Sequence, residues 1–159
     1  LRPAYEGFEF SHASIMYNAL KEDLASSLTI VGLRDYCHQE ADFIAQDSRV
    51  TAFTDHGMKK VMYDGQTWSR VCRNIIDTLP ENLYLSVDID GLDPSLCPGT
   101  GTPVPGGLSM SEFLYLLDAI VATGRKIIGA DLVEVVPGEG QWDANVGARV
   151  LWSISHRLA

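Results

Sequence analysis

Two aspartates, Asp88 and Asp90, close an apolar run that reads Leu83-Tyr-Leu-Ser-Val-Asp-Ile-Asp90. Side chains alternate along a strand, so positions i and i+2 face the same way. Carboxylates side by side repel, and a site that keeps both ionised usually holds a cation between them. As hard oxygen donors they suit Mn²⁺ or Mg²⁺. The plain alternative is a solvated pair at a strand end. A Gly/Pro-rich stretch follows at 99–107, Gly-Thr-Gly-Thr-Pro-Val-Pro-Gly-Gly. Its makeup is that of a shaped lip over a site rather than a solvated linker. Asp93 precedes Pro94 and reads as a turn former.

The elements that must position these residues alternate. Residues 14–22 read as a helix, 27–33 as a short buried strand, 38–46 as a helix and 50–53 as a brief strand. A helix at 67–79 carries Val71, Ile75, Ile76 and Leu79 on one side and is stopped by Pro80. The central strand is 83–90. Ser109-Met-Ser-Glu112 is a capping box. It opens a helix whose Phe113, Leu116, Leu117, Ile120 and Val121 form one stripe, and Gly124 ends it. Another strand spans 126–133, and Asp143 is the expected cap of a last helix. Such alternation, with near-continuous apolar strands, predicts an α/β domain whose parallel sheet is covered on both faces. Ligands then bind beyond the carboxyl ends of the strands. Asp88 and Asp90 close one strand, Asp131 and Glu134 the next, and Arg34 and Asp35 follow the first. No strand precedes the first helix, which leaves that helix without a β partner.

The 159 residues suffice for one domain with a sizeable core, and 46% apolar with 21% charged residues is the makeup of a water-soluble globule. A formal net charge of −9 argues against nucleic acid or an anionic membrane as partner and is compatible with a cationic substrate. No apolar run reaches the ~18–20 residues of a membrane span, and the first residues do not read as a signal peptide. Cys37, Cys72 and Cys97 show no C-x-x-C spacing and read as free thiols in a reducing cytoplasm.

The composite Ser86-x-Asp88-x-Asp90-x-x-Asp93-Pro94, followed by Gly101-Thr-Pro-x-x-Gly-Gly107, resembles the ureohydrolase family of arginases, agmatinases and formimidoylglutamases. Ser11-His12-Ala13-Ser14, Val31-Gly32-Leu33-Arg34-Asp35 and Gly129-Ala130-Asp131-Leu132-Val133-Glu134-Val135 resemble further segments of that family, so the resemblance covers essentially the whole chain as a single domain, 1–159. It implies a three-layer α/β/α fold with a mainly parallel sheet. It also implies a binuclear manganese site, two Mn²⁺ per complete site with nickel compatible, that hydrolyses guanidino compounds to urea and an amine. Cytoplasmic trimers or hexamers and, for agmatinases, a place in polyamine biosynthesis come with it. Asp88 and Asp90 match metal ligands, His12 a proposed proton shuttle, and Glu134 the residue that holds the substrate guanidinium.

The family's Gly-Gly-Asp-His and Asp-Ala-His-x-Asp segments, which supply its other metal ligands, do not occur in these residues. The chain therefore reads as the C-terminal part of a ureohydrolase without its first strands. A preceding segment, a second polypeptide, or an inactive remnant are the three ways to account for it. Arginases bind the α-ammonium of arginine partly through an acidic residue where this chain has Cys37. Agmatine is accordingly the first substrate, with arginine, guanidinobutyrate or another guanidino compound open. A non-catalytic ureohydrolase-like subunit is the reading from another class.

For each residue a plainer role stands beside the chemical one. His12 doubles as a helix-entry residue, and Glu134 as an ion-pair partner for an Arg such as Arg149. Asp131 reads as structural. His38, His56 (in an Asp-His-Gly turn) and His156 read as surface residues, and Cys37 and Cys97 as unreactive thiols near the rim. Trp142 and Asn145 could line a pocket.

Overall fold

The computed structural model describes residues 1–136 and 140–158. Strand β1 (Leu28–Leu33) pairs in parallel with β2 (Val50–Thr54), and β3 (Asn82–Asp88) with β4 (Lys126–Val133). Parallel neighbours need crossovers, and helices supply them. After α1 (Ile15–Lys21), α2 (His38–Gln46) joins β1 to β2. Helices α3 (Asp55–Tyr63) and α4 (Trp68–Ile76) lead to β3, α5 (Met110–Val121) joins β3 to β4, and α6 (Trp142–Ser155) closes the described chain.

The apolar spacing seen in the sequence builds one core. Val71, Cys72, Ile75 and Ile76 of α4 meet Phe113, Leu116, Leu117 and Ile120 of α5, and Val146, Val150 and Ile154 of α6, with Val87 and Ile89 from the β3 end. Helices α1 and α2 lie outside this cluster and touch one another through Tyr17 and Phe43, ring centres 5.5 Å apart. Along β3 the exposed residues alternate: Asn82, Tyr84, Ser86 and Asp88 face outward while Val87 is buried. Among the described residues one face of the β3–β4 pair is open, and Tyr84 is 65% exposed.

The elements depart from expectation in places that bear on the site. Strand β3 stops at Asp88 and a 3₁₀ turn, Ile89–Gly91, follows. Asp88 Oδ1 accepts the Asp90 N–H at 3.1 Å and caps that turn, while Ile89 is fully buried beneath it. Asp90 is therefore placed by a turn and not by strand alternation. Helix α3 was unforeseen. Thr54 caps it by accepting the Gly57 N–H at 3.1 Å, so the Asp-His-Gly stretch is a helical first turn and His56 is an exposed residue on it. The helix expected at 67–79 runs from Trp68 only to Ile76, where Thr78 folds back and its hydroxyl donates to Ile75 O. Asp143 lies inside α6 and does not cap it. Its buried carboxylate instead accepts the Gly99 N–H at 2.7 Å, which ties the lip to α6.

The capping box of α5 forms as read. Ser109 Oγ accepts the Glu112 N–H, and the Glu112 carboxylate accepts the Ser109 N–H at 2.8 Å and an N–H from Lys59 at 2.6 Å. Burial works to raise the Glu112 pKa, but the hydrogen bonds from Lys59 and Ser109 outweigh it and hold the carboxyl below its ordinary value. A folded pKa below the unfolded one stabilises above about pH 4 and is lost as pH falls through the folded value. Glu112→Gln is expected to cost about 1–2 kcal/mol near neutral pH. The deficit should hold down to about pH 4 and narrow below it, and urea-unfolding curves from neutral pH to below that value check it. A deficit independent of pH would mean that the charge contributes nothing.

Candidate functional site

The carboxyl ends of β3 and β4 lie side by side, as a parallel pair requires. Asp88 is the last residue of β3 and pairs in register with Val133, so Glu134 comes off β4 beside the 3₁₀ turn that carries Asp90. Glu134 has φ 62°, left-handed backbone in a non-glycine residue. Such a conformation costs about 1–3 kcal/mol and persists where the surroundings enforce it. Here Thr100 Oγ1 donates to Glu134 O at 3.0 Å and holds that turn.

The lip spans both carboxylates. Thr100 is buried and grips the Glu134 backbone, while Thr102 Oγ1 donates to Asp90 Oδ2 at 3.2 Å. Between them, a Cβ on Gly101 would lie 3.6 Å from Glu134 Oε2. A larger residue at Gly101 would fill the approach to Glu134. The lip is also fastened at its base, by Asp143 through Gly99 and by Arg34 through Val104 O.

Asp88 carries the clearest electrostatic mark. Partial desolvation by the surrounding chain, then the Asp90 charge, and more weakly that of Glu134, push its carboxyl up to about 6. Such crowding favours a bound cation. The donors fit a hard divalent metal in kind. They do not make a complete site, because no group of three or more His, Cys, Asp or Glu residues among the described residues is arranged to hold an ion.

The other sequence candidates fall into place around this edge or away from it. His12 begins a 3₁₀ turn, is exposed, and stands edge-on to Tyr5 with ring centres 5.2 Å apart. None of its described contacts reaches Asp88, Asp90 or Glu134. Arg149 does not pair with Glu134; its Nε donates to Asn145 Oδ1 at 2.9 Å. Asp131 accepts the Ser86 hydroxyl at 2.8 Å, the structural role expected of it. Asp93 accepts the Ser95 N–H at 2.9 Å and forms the expected turn. Cys97 is buried, not on the rim, and donates to Ile89 O at 3.1 Å; burial, with the Asp143 and Asp90 charges, pushes its thiol up to about 11. Cys37 immediately precedes α2, with its N–H donating to Glu40. Trp142 donates to Ser95 O at 3.0 Å and, with Asn145, edges a shallow surface groove. Thr100, Thr102 and Arg34 emerge as site-shaping residues to which the sequence reading assigned no role, and Asp143, expected only as a helix cap, joins them. The two threonines stood inside the quoted Gly/Pro-rich stretch, but nothing in their spacing said which group each would hold.

A family model described as the arginase family matches residues 1–156. The chain belongs to the arginase family. It is 34% identical over 151 residues to an N(1)-aminopropylagmatine ureohydrolase of Thermus thermophilus, which covers 95% of this chain and 47% of that protein. It is 36% identical over 140 residues to an agmatinase of Neisseria gonorrhoeae, covering 86% and 41% respectively. Among solved structures it resembles the proclavaminate amidino hydrolase of Streptomyces clavuligerus, with TM-score 0.80 and 25% identity over 98% of this chain and 51% of that one. The architecture is accordingly the arginase-family three-layer α/β/α fold with parallel strands. The chain spans less than half the length of the curated relatives it matches. Among the described residues no helix is long and apolar enough to cross a membrane.

Proposed function

We propose that the protein hydrolyses a small guanidino compound to urea and an amine, with Asp88 and Asp90 as two ligands of a binuclear divalent-metal centre, manganese first, nickel second. The remaining ligands come from outside the described residues. The observation that carries this reading is the convergence of three carboxylates, Asp88, Asp90 and Glu134, at one sheet edge, with Asp88 pushed up to about 6. When bound, the metal pair supplies the acidity that makes water a nucleophile at neutral pH. The chain's own residues do the rest. Glu134 offers a planar carboxylate for bidentate hydrogen bonding to the guanidinium and keeps the substrate cationic. Its twisted backbone, held by Thr100, sets the direction of that carboxylate. His12 carries a proton to the leaving amine, the work of a general acid.

Agmatine, giving putrescine and urea, is the first substrate of this reading. The names of the relatives support it, and so does Cys37, which offers no carboxylate to an α-ammonium group. Arginine and guanidinobutyrate are the comparisons. The test loads the protein with Mn²⁺ and measures urea release from all three. Agmatine is expected to give the highest kcat/KM. Urea from none of them, with metal bound, would sink the hydrolase reading. The incomplete ligand set supports a second reading, a subunit that binds a guanidino ligand or a partner enzyme without turnover. Ligand binding without urea release would favour it.

A further inference from the structure

Arg34 leaves the carboxyl end of β1, and main-chain carbonyls take up its guanidinium. Nη1 donates to Gly32 O at 3.1 Å and reaches Gly91 O at 3.5 Å. Nη2 donates to Asp90 O and, at 3.1 Å, to Val104 O, which also accepts from Nε at 3.2 Å. One side chain thus joins three separate segments: the end of β1, the 3₁₀ turn and the lip. No carboxylate among the described residues lies within ion-pair distance of it. The chain makes room for this arrangement. A Cβ on Gly106 would lie 3.2 Å from Arg34 Cδ and 2.7 Å from Asp55 Oδ2, at a φ of +97°. Gly32, at φ +85°, lets β1 close on the turn, its absent Cβ falling 3.5 Å from Gly91 O.

We propose that Arg34 is a positioning residue for the Asp88–Asp90 pair. By gripping the Asp90 and Gly91 carbonyls it fixes the turn that aims the Asp90 carboxylate. By gripping Val104 O it locks the same turn to the lip, whose Thr102 hydroxyl holds that carboxylate from the other side. A planar fork of five donors can satisfy carbonyls from several directions at once, and an ammonium on a flexible stem cannot. Groups that orient metal ligands without touching the metal shift metal affinity by ~10–100-fold. This inference rests on the reading of Asp88 and Asp90 as metal ligands.

The test compares parent with Arg34→Lys and Arg34→Ala in the protein as its source makes it. Mn²⁺ binding is followed by loss of the free-ion EPR signal, alongside kcat, KM and the thermal midpoint without metal. Arg34→Lys keeps the stem and the charge and serves where Arg34→Ala fails to fold. It is expected to weaken Mn²⁺ binding ~10-fold or more and to lower kcat with KM nearly unchanged, at a metal-free thermal midpoint close to the parent's. Parent-like Mn²⁺ affinity in Arg34→Lys would overturn the proposal, and so would a loss of affinity that merely tracks a fallen thermal midpoint. The Mn²⁺ titration separates this inference from the hydrolase reading. A parent that binds Mn²⁺ but releases no urea defeats the hydrolase reading and leaves the Arg34 result standing. A parent that binds no divalent metal overturns both.

Discussion

Asp88→Asn is expected to abolish tight divalent-metal binding and to lower kcat/KM for guanidino hydrolysis by at least ~10³-fold, while leaving the metal-free protein as stable as the parent or more so. The two halves of this prediction come from one geometry. In the absence of metal, the Asp88 carboxylate stands against Asp90 and Glu134, and those charges, after desolvation, push its pKa up. An asparagine amide removes the repulsion, and its oxygen can still accept the Asp90 N–H, now 3.1 Å from Asp88 Oδ1, so the turn keeps its cap. What the amide cannot supply is an anionic oxygen for a hard cation. A residue whose only work was in the fold would show the opposite pattern, loss of stability with binding intact. Calorimetric Mn²⁺ titration and thermal unfolding without metal, run on the same samples, read both halves. A destabilised Asp88→Asn that still binds Mn²⁺ as tightly as the parent would remove Asp88 from the ligand set.

How much of this was legible in the sequence differs by residue for physical reasons. Helix α5 was readable in full because its signals are local: a Ser/Glu capping box, an apolar stripe and a closing Gly124, whose φ is +81°. Strand β4 was readable because a short, mostly apolar run between a helix end and a charged residue has few alternatives. Asp88 and Asp90 were recognised as a pair, but for a reason only half right. Strand alternation carries Asp88 alone, and Asp90 owes its place to a turn that forms because Ile89 is drawn fully into the core. That competition between strand extension and burial is tertiary, and no spacing rule contains it. Helix α3 was missed because a Thr-Asp-His-Gly start has turn composition, and a Thr cap with Gly at the third helical position uses the same residue types. Arg34 and Asp143 act across 56 and 44 positions of chain. Their partners are backbone groups, and backbone groups leave no mark in a sequence. His12 is the reverse case: the family resemblance singles it out, while the contact described for its ring is with Tyr5.

Gly107→Ala is expected to destabilise the fold by at least ~3 kcal/mol, more than any other single methyl added to the lip. Two costs combine. Gly107 has φ +94°, a region L side chains rarely enter. An added Cβ would also lie 2.6 Å from Leu92 O, 2.7 Å from Leu92 C and 2.9 Å from Gly91 O, all of them backbone atoms with no rotamer to escape into. That close approach is what joins the lip to the turn after β3. Leu108 donates its N–H to Gly91 O at 3.1 Å and accepts the Asp93 N–H at 2.9 Å, a strand-like pairing that a methyl would wedge apart. Gly124→Ala is the control. It carries nearly the same backbone angle, φ +81°, but has no atom within 4 Å of its would-be Cβ. It should therefore cost only about 1 kcal/mol. The difference between the two variants in urea unfolding isolates the steric part from the backbone part. Equal losses in both would mean that the lip yields freely at Gly107. The pairing of Leu108 with the turn would then not be what holds Val104 against Arg34 or Thr102 against Asp90.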